Sequence, residues 1–164
     1  KEYRMKIVFV RVDERLIHGQ ITLGWTNLTG TKLIMAVNDE VAGNSLQKSL
    51  LKMGAKPGVQ VEIWTVNEAQ EKIKEDAWGT TATMALVKTP IDLLKLIEAG
   101  MDIEKVNVSG VRRPDAEIVL TKEVKATPEE LEAWKKIDEM GINIEVQFIP
   151  DQSKKNLNKI LQQY

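Results

Sequence analysis

The sequence contains no cysteine and only one histidine among its 164 residues. The missing thiols exclude disulfides, cysteine-based zinc sites and thiol catalysis. A single histidine with carboxylates is a poor ligand set for zinc, so we expect no metal site and no cofactor. His18, the lone histidine, is the side chain on which we focus below.

The chain also lacks an excess of charge of either sign and any long apolar run. Its 23 basic residues nearly balance 24 acidic ones, giving a formal net charge of -1. A nucleic-acid-binding protein gains affinity from a basic excess, so we expect no nucleic-acid partner. No stretch approaches the roughly 20 apolar residues of a membrane helix, and no signal-peptide core follows the start, so we expect a cytoplasmic protein. Met5 is a candidate natural start, which would make residues 1–4 an addition.

The length and the 43% hydrophobic content suit one domain covering residues 1–164. Short β-branched runs alternate with stretches of helical periodicity. This alternation predicts an α/β fold: an open, mostly parallel twisted sheet of about six to seven strands with helices on both faces. The predicted strands are Lys6–Val12, Lys32–Val37, Val59–Val66, Thr81–Val87, Lys105–Val108 and Asn143–Ile149, with a weaker one at Glu117–Leu120. The sheet order around residues 109–125 stays open.

Local capping signals predict where helices begin. Thr127 and Glu130 form a capping box around Pro128, and Gly141 ends that helix. Weaker signals of the same kind predict three further helices. One begins at Thr89 with Pro90, one begins at Asn67 with Gln70, and a C-terminal one covers Asp151–Tyr164.

His18 follows a buried strand and precedes Gly19, at the first predicted strand-to-helix turn. In open α/β sheets ligands meet the loops beyond the carboxyl ends of the strands, and free helix amides favour an anion there. Arg15 adds a permanent positive charge that can contact a phosphoryl oxygen. Asp13 is expected to hold Arg15 or the loop backbone, and Gln20 to contact the imidazole or the phosphate. These residues predict a phosphate-handling nucleophile at His18.

The residues alone leave a second interpretation open, because an isolated histidine in a loop is commonly a surface or turn residue. Other motifs are missing. Neither G-x-G-x-x-G nor G-x-x-x-x-G-K-[ST] occurs at the first turn, and no G-x-S-x-G elbow accompanies a serine. Nucleotide binding and serine-triad hydrolysis are therefore disfavoured.

The segment Arg11–Gln20 resembles the active loop of the B component of the mannose/fructose/sorbose class of sugar phosphotransferase systems. The resemblance extends in order over nearly the whole chain, from about Met5 to Pro150. The further matching segments are Val37–Ala42, Gly58–Val59, Val106–Val108 with Gly110, and Lys136–Gly141.

This resemblance implies a stand-alone enzyme IIB, a transferase. His18 would accept a phosphoryl group, on Nδ1 by analogy, from the phosphohistidine of an enzyme IIA partner. It would pass the group to a sugar translocated by membrane IIC/IID components, with which the protein would associate peripherally. Arg15, Asp13, Gly19 and Gln20 would bind or position the phosphate, and Asn38 and Asp39 would support the loop.

The chain departs from the family pattern at two places. Ser109 replaces a common glycine, and Arg112-Arg113-Pro114 replaces a less basic continuation. We expect these two arginines to be solvated loop residues rather than catalytic ones; contact with a partner or with phosphate stays open. A regulatory module of the same fold, which senses phosphotransferase flux instead of feeding transport, is the alternative function. The identity of the sugar and the oligomeric state are not specified by these motifs.

Overall fold

The computed structural model describes residues 5–75 and 80–164. The suggested addition at residues 1–4 lies outside this part of the chain. The described strands are β1 (Met5–Val12), β2 (Leu33–Val37), β3 (Gln60–Trp64), β4 (Thr81–Val87), β5 (Lys105–Val108), β6 (Ile118–Val119), β7 (Lys125–Ala126), β8 (Asn143–Val146) and β9 (Lys155–Asn156). The described helices are α1 (Gly19–Thr29), α2 (Asp39–Ala42), α3 (Ser45–Met53), α4 (Val66–Glu75), α5 (Pro90–Glu98), α6 (Pro128–Glu139) and α7 (Leu157–Leu161).

Seven strands form one sheet in the order β3-β2-β4-β1-β5-β8-β9. All neighbours pair in parallel except β9, which runs antiparallel to β8. This confirms the predicted α/β class and strand number. The weak strand predicted at Glu117–Leu120 is present as β6, but it pairs with β7 in a separate two-stranded hairpin. That hairpin fills the region whose order the sequence left open.

The sheet is buried on both faces, because alternate residues of one strand enter different hydrophobic clusters. In β2, Leu33 and Met35 belong to a large cluster with Trp134 of α6. Ile34 and Ala36 belong to a smaller cluster with Trp25 of α1. Since successive side chains of a strand point to opposite faces, helices cover both sides of the sheet.

Local capping explains most helix starts. Glu130 and Thr127 bond reciprocally at the start of α6, which confirms the predicted capping box, and Thr89 caps α5. The prediction for α4 was wrong by two residues. The backbone N of Thr65 donates to Glu68 Oε1 at 2.9 Å, and Glu68 N donates to Thr65 Oγ1 at 3.1 Å. Because β3 ends at Trp64, the helix begins at once, before the Asn67 and Gln70 pair.

The predicted C-terminal helix was too long. Lys155 and Asn156 pair with β8 as the edge strand β9, so the helix begins only at Leu157. The Asn156 side chain accepts a hydrogen bond from Lys159 N and so caps the start of α7. Leu157 and Leu161 then bury their side chains in the larger cluster.

Thr127→Ala is expected to lower the free energy of unfolding by about 1 kcal/mol, because it removes the side-chain cap of α6. Urea unfolding of the variant and the wild type measures the change. Ser153→Ala, in an exposed loop, serves as the control and should change stability by less than about 0.5 kcal/mol. Equal effects of the two substitutions would contradict the capping assignment.

Candidate active site

The loop that carries His18 leaves the carboxyl end of the central strand β1. Asp13 N donates to Val87 O at 2.9 Å, and Ser109 N donates to Val12 O at 2.9 Å, so β4 and β5 flank the start of the loop. After β1 the chain turns toward β2 on one side, whereas after β4 it crosses to β5 on the other. Crevices that open where connections diverge in this way are the usual ligand sites of open α/β sheets.

A tight turn fixes the shape of the loop. Leu16 N donates to Asp13 O at 2.9 Å, and Leu16 adopts a left-handed backbone with φ of 61°. This conformation costs an L-residue roughly 1–2 kcal/mol. Burial of the Leu16 and Ile17 side chains in the smaller cluster offsets the cost. The turn therefore anchors two apolar side chains in the core and leaves Arg15 exposed.

Asp13 holds the loop from beneath. Its carboxylate is buried; Oδ1 accepts from Arg15 N at 2.9 Å and lies 3.8 Å from Arg15 Nε. Oδ2 lies 3.3 Å from Arg11 Nη2. One acidic side chain thus joins the turn to two guanidinium groups. A role of Asp13 in positioning phosphate stays a prediction.

Arg11 is a further residue of the site, and the sequence reasoning did not single it out. Its side chain is buried and donates to Asn107 Oδ1, to Gln147 O at 3.1 Å and to Phe148 O at 3.0 Å. Burial lowers the pKa of Arg11, and Asp13 opposes that shift. One feature of the sequence could have indicated its role: Arg11 lies inside a strand of apolar residues, and a buried cation requires hydrogen-bond or ion-pair partners. Its partners come from β5 and the segment after β8, too far along the chain to be identified by pattern.

His18 stands immediately before α1. Its backbone N donates to Thr22 Oγ1 at 2.8 Å, and its side chain makes no capping hydrogen bond. His18 Nε2 lies 3.3 Å from Arg15 Nη1. A guanidinium group only donates, so this contact requires an unprotonated Nε2 and places the proton of the neutral ring on Nδ1. His18 Nδ1 is buried and has no hydrogen-bond partner within the described residues.

One cation and the start of a helix lie next to His18. The Arg15 side chain is 47% exposed, and its guanidinium carbon lies 5.3 Å from the centre of the Phe148 ring. Gly19 is exposed, begins α1, and has open space where a side chain would stand. The side chain of Gln20 lies outside the described residues. The first turn of α1 contains no acidic residue. Such a helix start favours an anion.

Asn38 and Asp39 lie at the same edge of the sheet but one strand away. β4 separates β2 from β1 in the sheet, so the two residues follow a strand that does not pair with β1. Asn38 Oδ1 accepts from Val41 N at 3.0 Å, and Asp39 Oδ1 accepts from Val66 N at 2.8 Å. These bonds brace the starts of α2 and α4. Support of the His18 loop by this pair remains a prediction.

Arg112 and Arg113 have different surroundings. Arg113 forms ion pairs with Glu130 and Asp115, and its Nε lies 3.3 Å from Asp115 Oδ1. Burial alone would lower the pKa of Arg113, but the hydrogen bond and charge of Glu130 raise it overall. Arg112 is exposed and makes no ion pair within the described residues. Its backbone N contacts both carboxylate oxygens of Glu14 at 3.3 Å. Arg113 is therefore a structural residue.

A cleft of about 580 Å³ opens beside Arg15. Its wall carries cationic, acidic, amide and aromatic side chains, contributed by Glu14, Arg15, Arg112, Lys122, Glu123, Phe148 and Gln152. Lys155 binds Glu123 and holds the pKa of that carboxyl below its usual range. The cleft is continuous with the exposed side of the Arg15 guanidinium and offers room for a docking segment.

Within residues 5–75 and 80–164, no group of three histidine or acidic side chains is arranged to hold a metal ion. In the same part of the chain, no helix has the length and apolar character needed to cross a bilayer.

The sequence of this chain is similar to known proteins of one family. The sequence profile of the family described as "PTS system sorbose subfamily IIB component" matches residues 7–164. An N-acetylgalactosamine-specific phosphotransferase enzyme IIB component 2 from Escherichia coli is 30% identical over 94% of this chain and 98% of its own length. The mannose-specific EIIAB component of the same species is 33% identical over 88% of this chain, which spans 45% of that relative.

The fold comparison agrees. The IIBSor domain of the sorbose permease from Klebsiella pneumoniae superposes with a TM-score of 0.88 at 26% identity, covering 97% of this chain and 98% of that one. The N-acetylgalactosamine-specific IIB component 1 from Escherichia coli gives 0.82 at 27% identity, covering 92% and 98%. Because its fold and nearly its full length are matched, the chain belongs to the sorbose subfamily of IIB components of the phosphotransferase system.

Proposed function

We propose that this protein is a phosphocarrier. His18 accepts a phosphoryl group from the phosphohistidine of an enzyme IIA partner and transfers it to a sugar that membrane IIC/IID components translocate. The observation that carries the proposal is the 3.3 Å contact between His18 Nε2 and Arg15 Nη1 at the open start of α1. The name of the mannose-specific EIIAB relative supports the partnership with an A component.

The first transfer exchanges one P–N bond for another. An imidazole nitrogen of His18 uses its lone pair to attack phosphorus, while the P–N bond to the donor histidine breaks and its electron pair returns to that ring. Because the two bonds have similar energies, the protein's main tasks are to align the two nitrogens and to balance charge on the phosphoryl oxygens. Arg15 and the amides at the start of α1 suit the second task.

The second transfer releases the group to the sugar. A sugar hydroxyl attacks phosphorus and the P–N bond to His18 breaks. The ring nitrogen that held phosphorus keeps the electron pair and takes up the hydroxyl proton, which restores the neutral imidazole. A carrier must release its cargo, so a cradle open to solvent on one side is preferable to an enclosing one. The exposed Arg15 and Gly19 fit this requirement.

Phosphorylation of Nδ1 requires a rearrangement of the ring, because Nδ1 is buried in this conformation. The imidazole must rotate so that Nδ1 faces solvent, and the proton must reside on Nε2. A protonated Nε2 no longer accepts from Arg15, so the guanidinium becomes free to bind phosphoryl oxygens. The same movement would therefore expose the nucleophile and release its positioning cation.

Nuclear magnetic resonance of ¹⁵N-histidine-labelled protein tests this rearrangement, and the single histidine gives an unambiguous signal. We expect the unphosphorylated ring to carry its proton on Nδ1 and the phosphorylated ring to carry phosphorus on Nδ1. Phosphorus bonded to Nε2 would mean that the group is accepted without ring rotation and would contradict the Nδ1 assignment.

Mass spectrometry tests the function itself. Incubation with phosphoenolpyruvate, the upstream relay proteins and a candidate A component should add one acid-labile phosphoryl group, located on the peptide that contains His18. Protein that stays unmodified with every candidate donor would contradict the proposal. Deletion in the cell separates a carrier from a regulatory module: loss of a carrier abolishes uptake of one sugar, whereas loss of a sensor changes expression and preserves uptake.

Arg15→Ala is expected to slow phosphoryl transfer about 100-fold, because it removes the cation nearest the imidazole. Arg15→Lys should fall between that variant and the wild type, since lysine keeps the charge but loses the planar fork. Rapid-quench measurement of phosphoprotein formation checks both. Arg112→Ala, across the cleft, is the control and should stay within a few fold of the wild type. An equal loss in the control would contradict a special role for Arg15.

A further inference from the structure

The guanidinium of Arg15 lies over the aromatic ring of Phe148. Its central carbon is 5.3 Å from the ring centre, within the roughly 6 Å over which an aromatic face attracts a cation. Phe148 follows β8 and is half-buried, whereas Arg15 is exposed. An aromatic side chain from the far end of the chain thus contacts the cation that stands next to His18.

The Arg15 guanidinium has a different neighbour at each of its sides. Nη1 lies 3.3 Å from His18 Nε2, and Nε lies 3.8 Å from Asp13 Oδ1. The Phe148 ring is the uncharged neighbour of the three. A phenyl ring attracts a cation through its quadrupole and carries no net charge. It therefore holds the guanidinium without placing a negative charge where an anion is to bind.

The backbone that carries this ring is fixed by three other elements. The Phe148 carbonyl accepts from Arg11 Nη2 in β1 at 3.0 Å and from Trp25 Nε1 in α1 at 3.1 Å. The preceding residue, Gln147, donates its backbone N–H to Val108 O in β5 at 3.0 Å. Because strands and a helix hold it, the ring has a defined place beside the His18 loop.

Four residues form a closed circuit of contacts around the loop. Arg15 N donates to Asp13 Oδ1 at 2.9 Å, and Asp13 Oδ2 lies 3.3 Å from Arg11 Nη2. The same Arg11 nitrogen donates to the Phe148 carbonyl, and the Phe148 ring contacts the Arg15 guanidinium. Arg15 is consequently held at its backbone by Asp13 and at its charged end by Phe148.

We propose that Phe148 is a positioning residue for phosphoryl transfer, which holds the Arg15 guanidinium where the phosphoryl oxygens bind. This inference rests on the proposed function. When His18 turns Nδ1 outward, its contact with Arg15 is lost, and the 3.8 Å distance from Arg15 Nε to Asp13 is too long for a good hydrogen bond. The Phe148 ring is then the neighbour that keeps the guanidinium in place.

Phe148→Leu removes the aromatic face and keeps an apolar side chain. Loss of a partly exposed cation–π contact should slow phosphoryl transfer about fivefold in rapid-quench measurements. Phe148→Tyr keeps the ring face and should stay within about twofold of the wild type. Tyr164→Leu, an aromatic replacement at an exposed position outside the cleft, is the matched control and should also stay within about twofold. All variants are checked for an unchanged thermal melting temperature.

A small phosphoryl donor separates positioning from docking, because Phe148 also lines the cleft beside Arg15. With phosphoramidate, the imidazole attacks phosphorus, the P–N bond breaks and ammonia leaves, so no protein has to dock. We expect the loss in Phe148→Leu with phosphoramidate and with the phosphorylated A component alike. A loss confined to the protein donor would assign Phe148 to docking and overturn the proposal.

A double-mutant cycle shows whether the ring acts through Arg15. In the Arg15→Ala background, Phe148→Leu should cause no further loss of rate, because the group that the ring positions is already absent. Independent, additive losses would mean that Phe148 affects transfer by another route, as a general packing role would, and would also overturn the proposal.

Nuclear magnetic resonance tests the contact itself without any phosphoryl transfer. Protons above an aromatic face are shifted upfield, so the Arg15 side-chain signals should lose this shift in Phe148→Leu and keep it in Phe148→Tyr. Arg15 signals that are the same in Phe148→Leu and the wild type would contradict the positioning role. A wild type that shows the shift but accepts phosphate from no donor would reject the carrier function alone. Equal transfer rates in the wild type and Phe148→Leu would reject the positioning role alone.

Discussion

His18→Ala is expected to abolish phosphoryl acceptance, with a loss of ~1000-fold or more. The chain has no second histidine and no cysteine, so no other imidazole or thiol can take over the P–N or P–S chemistry. Phosphoprotein formation from a phosphorylated A component, followed by mass spectrometry, measures the loss.

The same variant should fold normally. The His18 side chain makes no capping bond to α1, and the bond from its backbone N to Thr22 survives the substitution. Circular dichroism and thermal melting within about 2 °C of the wild type would show this. A variant that still takes up an acid-labile phosphoryl group would assign the carrier role to another residue.

Asp13→Ala is expected to lower the free energy of unfolding by about 3–5 kcal/mol. Asp13 and Arg11 form a pair with side chains 1% and 3% exposed, and removing one partner leaves a buried charge poorly compensated. The bond from Arg15 N to Asp13 Oδ1 is lost at the same time, so the loop loses its anchor. Urea unfolding measures the stability change.

Asp115→Ala is the matched control for this substitution. Asp115 also pairs with an arginine at 3.3 Å, but its side chain is 70% exposed. Exposed ion pairs contribute about 0–1 kcal/mol, so the control should be nearly neutral. If both substitutions lower the free energy of unfolding equally, burial does not explain the contribution of the Asp13–Arg11 pair to stability.

Much of the fold follows from local pattern. The apolar runs gave six strands close to their observed bounds, because fully buried parallel strands are continuous stretches of apolar residues. Thr127 and Thr89 predicted the starts of α6 and α5 correctly, because a cap depends only on residues three positions apart. The pair Asn67 and Gln70 predicted the wrong start for α4, because Thr65 and Glu68 form an equally good capping box nearer the end of β3.

The capping and periodicity signals described above do not predict helix α3. Its apolar residues Leu46, Leu50 and Met53 are exposed, so they mark no core face. At the proposed site, the residues that the sequence predicts, His18, Arg15 and Asp13, lie within six positions of the chain; their roles stay predictions. Arg11 was missed because its function depends on Asn107 and on carbonyls near residue 148, which only tertiary structure brings together.

Phe148 connects the beginning of the chain to its last segment. Its carbonyl oxygen accepts from Arg11 Nη2 and from Trp25 Nε1, and its ring lies beneath the guanidinium of Arg15. A nascent chain therefore makes the His18 loop early but cannot brace it until β8 and the residues after it have left the ribosome. Such long-range closure is slow compared with helix formation. Competence to carry phosphate should consequently emerge only after Phe148 has been synthesised and has met the loop that follows β1.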